Sequence, residues 1–132
     1  MQFVPEAADL LAAIGKLLDE KVLAAVPPDL QHQVRVAAHL STLIERELRL
    51  GPANDARERE LLDGLLREPS ESSSERADQH GEAVEDPQAA VAERIRHGDD
   101  ESFEARAWPA IVEITRNDLA VAKPGHDRWE GE

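Results

Sequence analysis

Apolar residues at the start of the chain recur at helical spacing: Leu10, Leu11, Ile14, Leu17, Leu18, Val22 and Ala25 share one face, with Asp9, Lys16, Asp19 and Glu20 opposite. Pro5 suits a first helical turn, where its missing N–H would be orphaned in any case. Pro27-Pro28 closes the run, because a residue that precedes a proline is pushed out of the helical region. The pattern predicts a first helix from about Pro5 to Val26 and a second from Asp29, its cap, to Leu50. In the second helix Leu30, Val34, Ala37, Ser41, Ile44 and Leu48 stack along one line, and Val36, Leu40, Leu43 and Leu50 form an adjacent stripe. Two stripes predict a central helix with more than one neighbour, with Ile44 and Leu48 buried against the first helix. Gly51-Pro52 is the usual punctuation of a helix end. A third helix is therefore predicted from about Asn54 or Asp55 to Arg67, with Leu61, Leu62, Leu65 and Leu66 on its buried side.

Beyond Arg67 the periodicity stops. The stretch Glu68 to Asp86 carries seven acids against the single Arg76, with Pro69, four serines and Gly81, and its one larger apolar side chain is Val84. Such a segment buries too little to offset the entropy of ordering it, which predicts a mobile linker. Asp86-Pro87 then reads as a cap and a first-turn proline, opening a short helix over Ala89 to His97 that Gly98 ends. A last helix is predicted from near Asp99 to Ser102 through to Val121 or Ala122, with Phe103, Ala107, Ala110, Ile114 and Val121 on one face and Trp108, Ile111 and Leu119 beside it. Pro109 falls inside this pattern and predicts a kink or break. No run alternates with period two for long enough to make a strand. The expected fold is all-α: a five-helix, bundle-like single domain with a disordered acidic linker between helices three and four. Its parts are an N-terminal three-helix unit over 1–68, an acidic Ser-rich linker over 69–86, C-terminal helices over 87–124 completing the bundle, and a polar tail over 125–132.

Charge narrows the function. Among 132 residues, 15 are Lys or Arg and 28 are Asp or Glu, a net charge of 15 − 28 = −13. That balance argues against nucleic acid, which is bound by neutralising phosphates, and against an anionic membrane surface. The charge is also uneven. Residues 1–50 hold 7 acids and 5 bases (net −2), whereas residues 51–132 hold 21 and 10 (net −11). With no cysteine, neither a disulfide nor a thiolate metal site can form. No apolar run approaches the roughly 20 residues of a membrane span, and the first residues lack the basic start and apolar stretch of a secretion signal. The expected location is the cytoplasm.

Candidate chemistry is sparse. His32 and His39 share a face, but seven residues of helix set them about 10 Å apart along the axis, too far to bind one metal. Glu93 and His97 lie four apart and would reach a common ion, yet two ligands do not make a site. The run Asp99, Asp100 and Glu101 suits the start of the last helix, where negative charge meets the positive end of the dipole, better than it suits an acid–base pair. There is no Gly-rich phosphate loop and no Ser or Cys in a nucleophile setting. No catalytic residue, metal or cofactor is therefore expected. Trp108 reads as an anchor of the core or of an interface, and Trp129 in the polar tail as a ring that packs back or meets a partner. The sharper signal is a basic stripe on the second helix. There Arg35, His39, Arg46 and Arg49 fall opposite the apolar stripes, which suits either internal pairing or a docking face for an acidic partner or an anion.

The segments Gln33-Val34-Arg35-Val36-Ala37-Ala38-His39, Arg46-Glu47-Leu48, Leu50-Gly51-Pro52, Arg94-Ile95-Arg96-His97-Gly98 and Leu119-Ala120-Val121-Ala122-Lys123-Pro124 stand out as short motifs. Together they resemble a family of small bacterial helical domains of unknown function, encoded beside or fused to aminoglycoside-phosphotransferase-like kinases and often near acyl-CoA dehydrogenases. The likeness covers residues 7–67 fairly well and 88–124 more loosely. This chain departs from the pattern at His39, where an amide side chain is usual, at Ala122-Lys123, where an Asp-Asn pair is usual, and in its long acidic linker. The resemblance implies no catalytic residue; it implies association with a kinase-like or acyl-CoA dehydrogenase partner. Two functions follow as expectations. One is a non-catalytic accessory domain that binds such a partner and self-associates as a homo-oligomer. The other is an anion-binding module lined by Arg35, His39 and Arg46.

Overall fold

The computed structural model describes residues 4–67, 86–98, 100–126 and 128. Among these it is all-helical, with four helices and no strand. The linker expected over 69–86, apart from Asp86, lies outside the described residues, as do Phe3 and Trp129. Helix α1 runs from Ala7–Leu17 through a π-helical turn, Leu18–Val22, into Leu23–Ala25. It stops where sequence predicts: Val26, ahead of Pro27, is extended at φ −88° and ψ 153°. Helix α2 is Pro28–Arg67, α3 is Pro87–His97 and α4 is Glu101–Ala122. Pro28 opens α2, so Asp29 sits in its first turn rather than capping it. Both later helices begin on carboxylate caps: Asp86 accepts from the Ala89 N–H at 3.1 Å and Asp100 from the Phe103 N–H at 2.9 Å. Gly98 ends α3 in the left-handed region at φ 66°, where a side chain would be strained.

Four helices rather than five is a correction with a physical cause. Gly51-Pro52 does not end a helix; α2 continues through it for 40 residues, about 60 Å at 1.5 Å per residue. Pro52 has no N–H to donate, and an interior proline costs a helix about 3 kcal/mol. Here α4 lies alongside and braces both sides of the defect. Arg46 Nε donates to the Val121 carbonyl at 2.7 Å before it, while Asn54 Nδ2 donates to the Asn117 carbonyl at 3.3 Å and Arg57 pairs with Glu113 at 2.6 Å after it. Local punctuation yields to a neighbouring helix. Pro109 likewise leaves α4 unbroken.

Every other helix packs on α2, as its two stripes predict, but they do so at different ends. The large-residue core sits at the C-terminal end, where Leu62 and Leu65 of α2 meet Val91 of α3 and Phe103, Ala107 and Ala110 of α4. Phe103 is fully buried, with the Arg94 guanidinium 3.9 Å from its ring centroid. At the N-terminal end α1 and α2 form a hairpin whose buried residues are small: Ala8, Gly15, Ala38 and Ser41. The backbones come close enough that a Cβ on Gly15 would stand 3.5 Å from the Ala38 carbonyl oxygen, the Ser41 Cβ and the Thr42 methyl. Among the described residues α1 touches neither α3 nor α4. The burial expected for Ile44 and Leu48 is therefore corrected: each remains 46% exposed, because α1 packs on the Ala38–Ser41 line beside them. No described helix is long and apolar enough to cross a membrane.

Candidate functional site

The basic stripe of α2 does not converge. Arg35 and His39 border an open depression of about 380 Å³ between α1 and α2, together with Lys16, Asp19, Glu20 and Thr42, so cations and carboxylates alternate around it. Arg46 turns away toward α4. The Val121 carbonyl it holds belongs to the last turn of that helix, where carbonyls lack intrahelical partners and positive charge complements the dipole. Arg46 thus caps α4 from outside, pairing with a main-chain oxygen rather than an acid. Arg49 bonds to Glu45 on its own helix and to Asp9 of α1 at 2.8 Å, and these partners, Glu45 first, raise its pKa.

Two further acidic features differ in how they are made: the partners of Asp100 lie within six residues of it, whereas those of Asp118 come from a distant segment and leave no clear sequence signal. Asp100 is held below the usual carboxylate range, first by the Phe103 N–H and then by Arg94 at 3.0 Å. Asp118 moves the other way, pushed up by burial and then by the nearby charges of Glu58 and Asp55. It borders a depression of about 400 Å³ with Leu43, Ile44, Glu47, Asp55 and Val121. This is a shallow acidic hollow, with no basic or nucleophilic side chain on its walls.

What the structure does bring together is apolar surface. With Gly15 facing α2, helical geometry places Leu10, Ile14 and Leu17 on one flank of α1 and Asp9 and Lys16 on the other. With Ala38 and Ser41 facing α1, Leu30, Leu40, Ile44 and Leu48 fall on one flank of α2, and Arg35, His39 and Arg49 on the other. The Arg49–Asp9 pair and the depression shared by Lys16, Arg35 and His39 fix which flanks coincide. One side of the hairpin is therefore polar and the other apolar. All seven of those leucines and isoleucines are 42–51% exposed. Separately, Trp108 on α4 is 67% exposed.

A family model described as a domain of unknown function, DUF6285, matches residues 24–126. The chain belongs to that family. In this DUF6285 chain the match begins near the end of α1 and takes in α2, α3 and α4, so the family segment includes the spine, the core and Trp108. The leucines and isoleucine of the α1 flank precede it. No curated protein and no solved structure matches the chain.

Proposed function

We propose that this DUF6285 domain is a non-catalytic accessory domain that works by docking on other protein chains, with a kinase-like or acyl-CoA dehydrogenase enzyme as its partner class. One observation carries the reading: eleven large apolar side chains among the described residues are at least 38% exposed, seven of them on one hairpin flank. Contiguous apolar surface of that kind marks interaction sites. Trp108 is the anchor suited to an enzyme partner, since tryptophan is among the residue types most enriched at interface hot spots and this one is exposed. The enzyme class comes from the segment resemblance, through Arg35, Arg46 and the Leu50-Gly51-Pro52 run. The docking reading is favoured over anion binding because Arg46 is committed to α4, while Asp19 and Glu20 share the depression of Arg35 and His39. The test is co-expression of the tagged chain with the kinase-like enzyme and the dehydrogenase encoded nearest to it. Co-purification with one of them, weakened by Trp108→Ala at unchanged helix content, is the expected result. Elution of the chain from both enzymes at physiological salt would refute the reading.

A further inference from the structure

The apolar flank of the α1–α2 hairpin has no partner within the described chain, yet its pattern, area and charge specify what fits it. Along the exposed flank of α2, Leu30, Ala37, Leu40, Ile44 and Leu48 recur at steps of seven, three, four and four, the spacing of one helix packed along another. On α1, Leu10, Ile14 and Leu17 keep steps of four and three. Inside the hairpin the fully buried residues are small, and Leu11, Leu18, Val22 and Val34 are only partly covered, so its own apolar core is modest. Helices of this kind owe most of their stability to tertiary burial. The seven half-exposed leucines and isoleucines together present on the order of 500–600 Å² of apolar surface per chain. A standard interface of about 800 Å² per partner, a little over half of it apolar, needs roughly the same. The hairpin is also the part of the chain where two copies meet at least electrostatic cost: residues 1–50 carry 5 bases against 7 acids, net −2, out of a total of −13.

We propose that a second copy of this chain covers the flank, the two hairpins packing face to face as a two-fold, antiparallel four-helix bundle. This rests on the reading of the chain as a docking domain and names one occupant of the hairpin's apolar flank. Charge selects the antiparallel form. In a parallel dimer the two acidic C-terminal halves, with Glu47, Asp55 and Asp118 at their near ends, would lie side by side. The antiparallel form sends them to opposite ends and leaves Trp108 of each copy exposed for an enzyme.

Sedimentation velocity on the full chain across the micromolar range is the direct test, with a dimer expected. Ile14→Glu and Ile44→Glu should each give a monomer whose circular dichroism keeps the parent helix content, since both positions are half exposed. Leu48→Gln, a milder change on the same flank, should weaken the dimer at least tenfold and guards against a variant that merely unfolds. The cysteine-free chain accepts a single spin label at Asp29→Cys. The antiparallel form sets the two labels about 30 Å apart, twice the ten-residue distance to mid-hairpin, whereas the parallel form keeps them within one or two helix spacings of about 10 Å. A monomeric parent chain overturns the proposal, and so does a dimer indifferent to all three substitutions. A monomer that still co-purifies with the kinase-like enzyme, and loses it on Ile44→Glu, overturns the second copy while leaving the docking function standing. A monomer that captures neither enzyme removes both.

Discussion

Removing Arg46 tests how a 40-residue helix survives an interior proline. Its guanidinium is a partly buried donor to the Val121 carbonyl at 2.7 Å, and no acid shares that bond. A hydrogen bond from a charged group contributes about 1.5–3 kcal/mol, and relief of a helix C-terminus adds a few tenths. Arg46→Ala should therefore destabilise the fold by about 2–3 kcal/mol. That is less than the 3–5 kcal/mol typical of stranding a buried acid, because what remains unpaired is a neutral carbonyl. Arg46→Met, which keeps the apolar stem, should lose nearly as much if the bond is what matters. Urea unfolding followed by circular dichroism reads both. The same reasoning couples Arg46 to Pro52, since α4 holds α2 on both sides of the missing bond. Pro52→Ala restores that bond and should stabilise by about 2 kcal/mol or a little more, the helix gain of about 3 being offset by up to about 1 from the freer unfolded chain. In that background Arg46→Ala should cost measurably less than in the parent. Strictly additive losses would show that α4 does not brace the proline, and a loss below about 0.5 kcal/mol for Arg46→Ala would remove the capping role altogether.

Gly15→Ala should be neutral or stabilising by up to about 1 kcal/mol, because the added methyl stands at ordinary contact distance from α2 and helix propensity improves; Gly15→Leu should separate the hairpin. Two carboxylates should respond to acid with opposite signs. Asp100 has its folded pKa below its ordinary 3.8, so its contribution is present above that value and is lost as pH falls through the folded pKa. Asp100→Asn should therefore lower the urea midpoint at pH 7, and the difference should shrink as the pH drops below 3.8. Asp118 has its folded pKa above 3.8, so its ionised form opposes folding once pH exceeds that folded value. Asp118→Asn should raise the midpoint at pH 7 and make no difference below 3.8. A midpoint unchanged at pH 7 in either variant would refute the corresponding environment.

Much of this arrangement is legible in the chain. The α1 stop at Pro27-Pro28, the Asp86 cap, the Gly98 terminus and the span of α4 all follow from local chemistry, where the residue and its immediate neighbours decide the backbone. The second helix is the common neighbour that its two stripes predict, although most of the stripe residues themselves stay exposed. What local chemistry cannot carry is tertiary support. Gly51-Pro52 reads as a terminus because nothing nearby in sequence reveals that Arg46 and Asn54 will be held by a helix some seventy residues later. Ile44 and Leu48 illustrate the complementary limit. Periodicity marks side chains that gain from burial, but it does not supply the surface that buries them. For the basic stripe, spacing put Arg35, His39, Arg46 and Arg49 on one side of a cylinder. Arg46 and Arg49 then reached separate partners on α4 and α1, while Arg35 and His39 border an open depression.

The shared helix has a consequence for how the molecule comes apart. The hairpin and the leucine–phenylalanine core are joined by one continuous backbone, and across the described residues by no side-chain cluster common to both. Cooperativity between them has two routes, along α2 past Pro52, where its hydrogen-bond ladder lacks a rung, and through the last turns of α4, which hold α2 by Arg46 before the proline and by Asn54 after it. Such a chain behaves as two foldons in series. The amides of α1 and the first half of α2 exchange with solvent through a smaller opening that leaves the C-terminal core shut, while those around Phe103 wait for global unfolding. Whatever covers the hairpin then sets the protection of that half alone, so hydrogen exchange in α1 and early α2 becomes a local reporter of assembly.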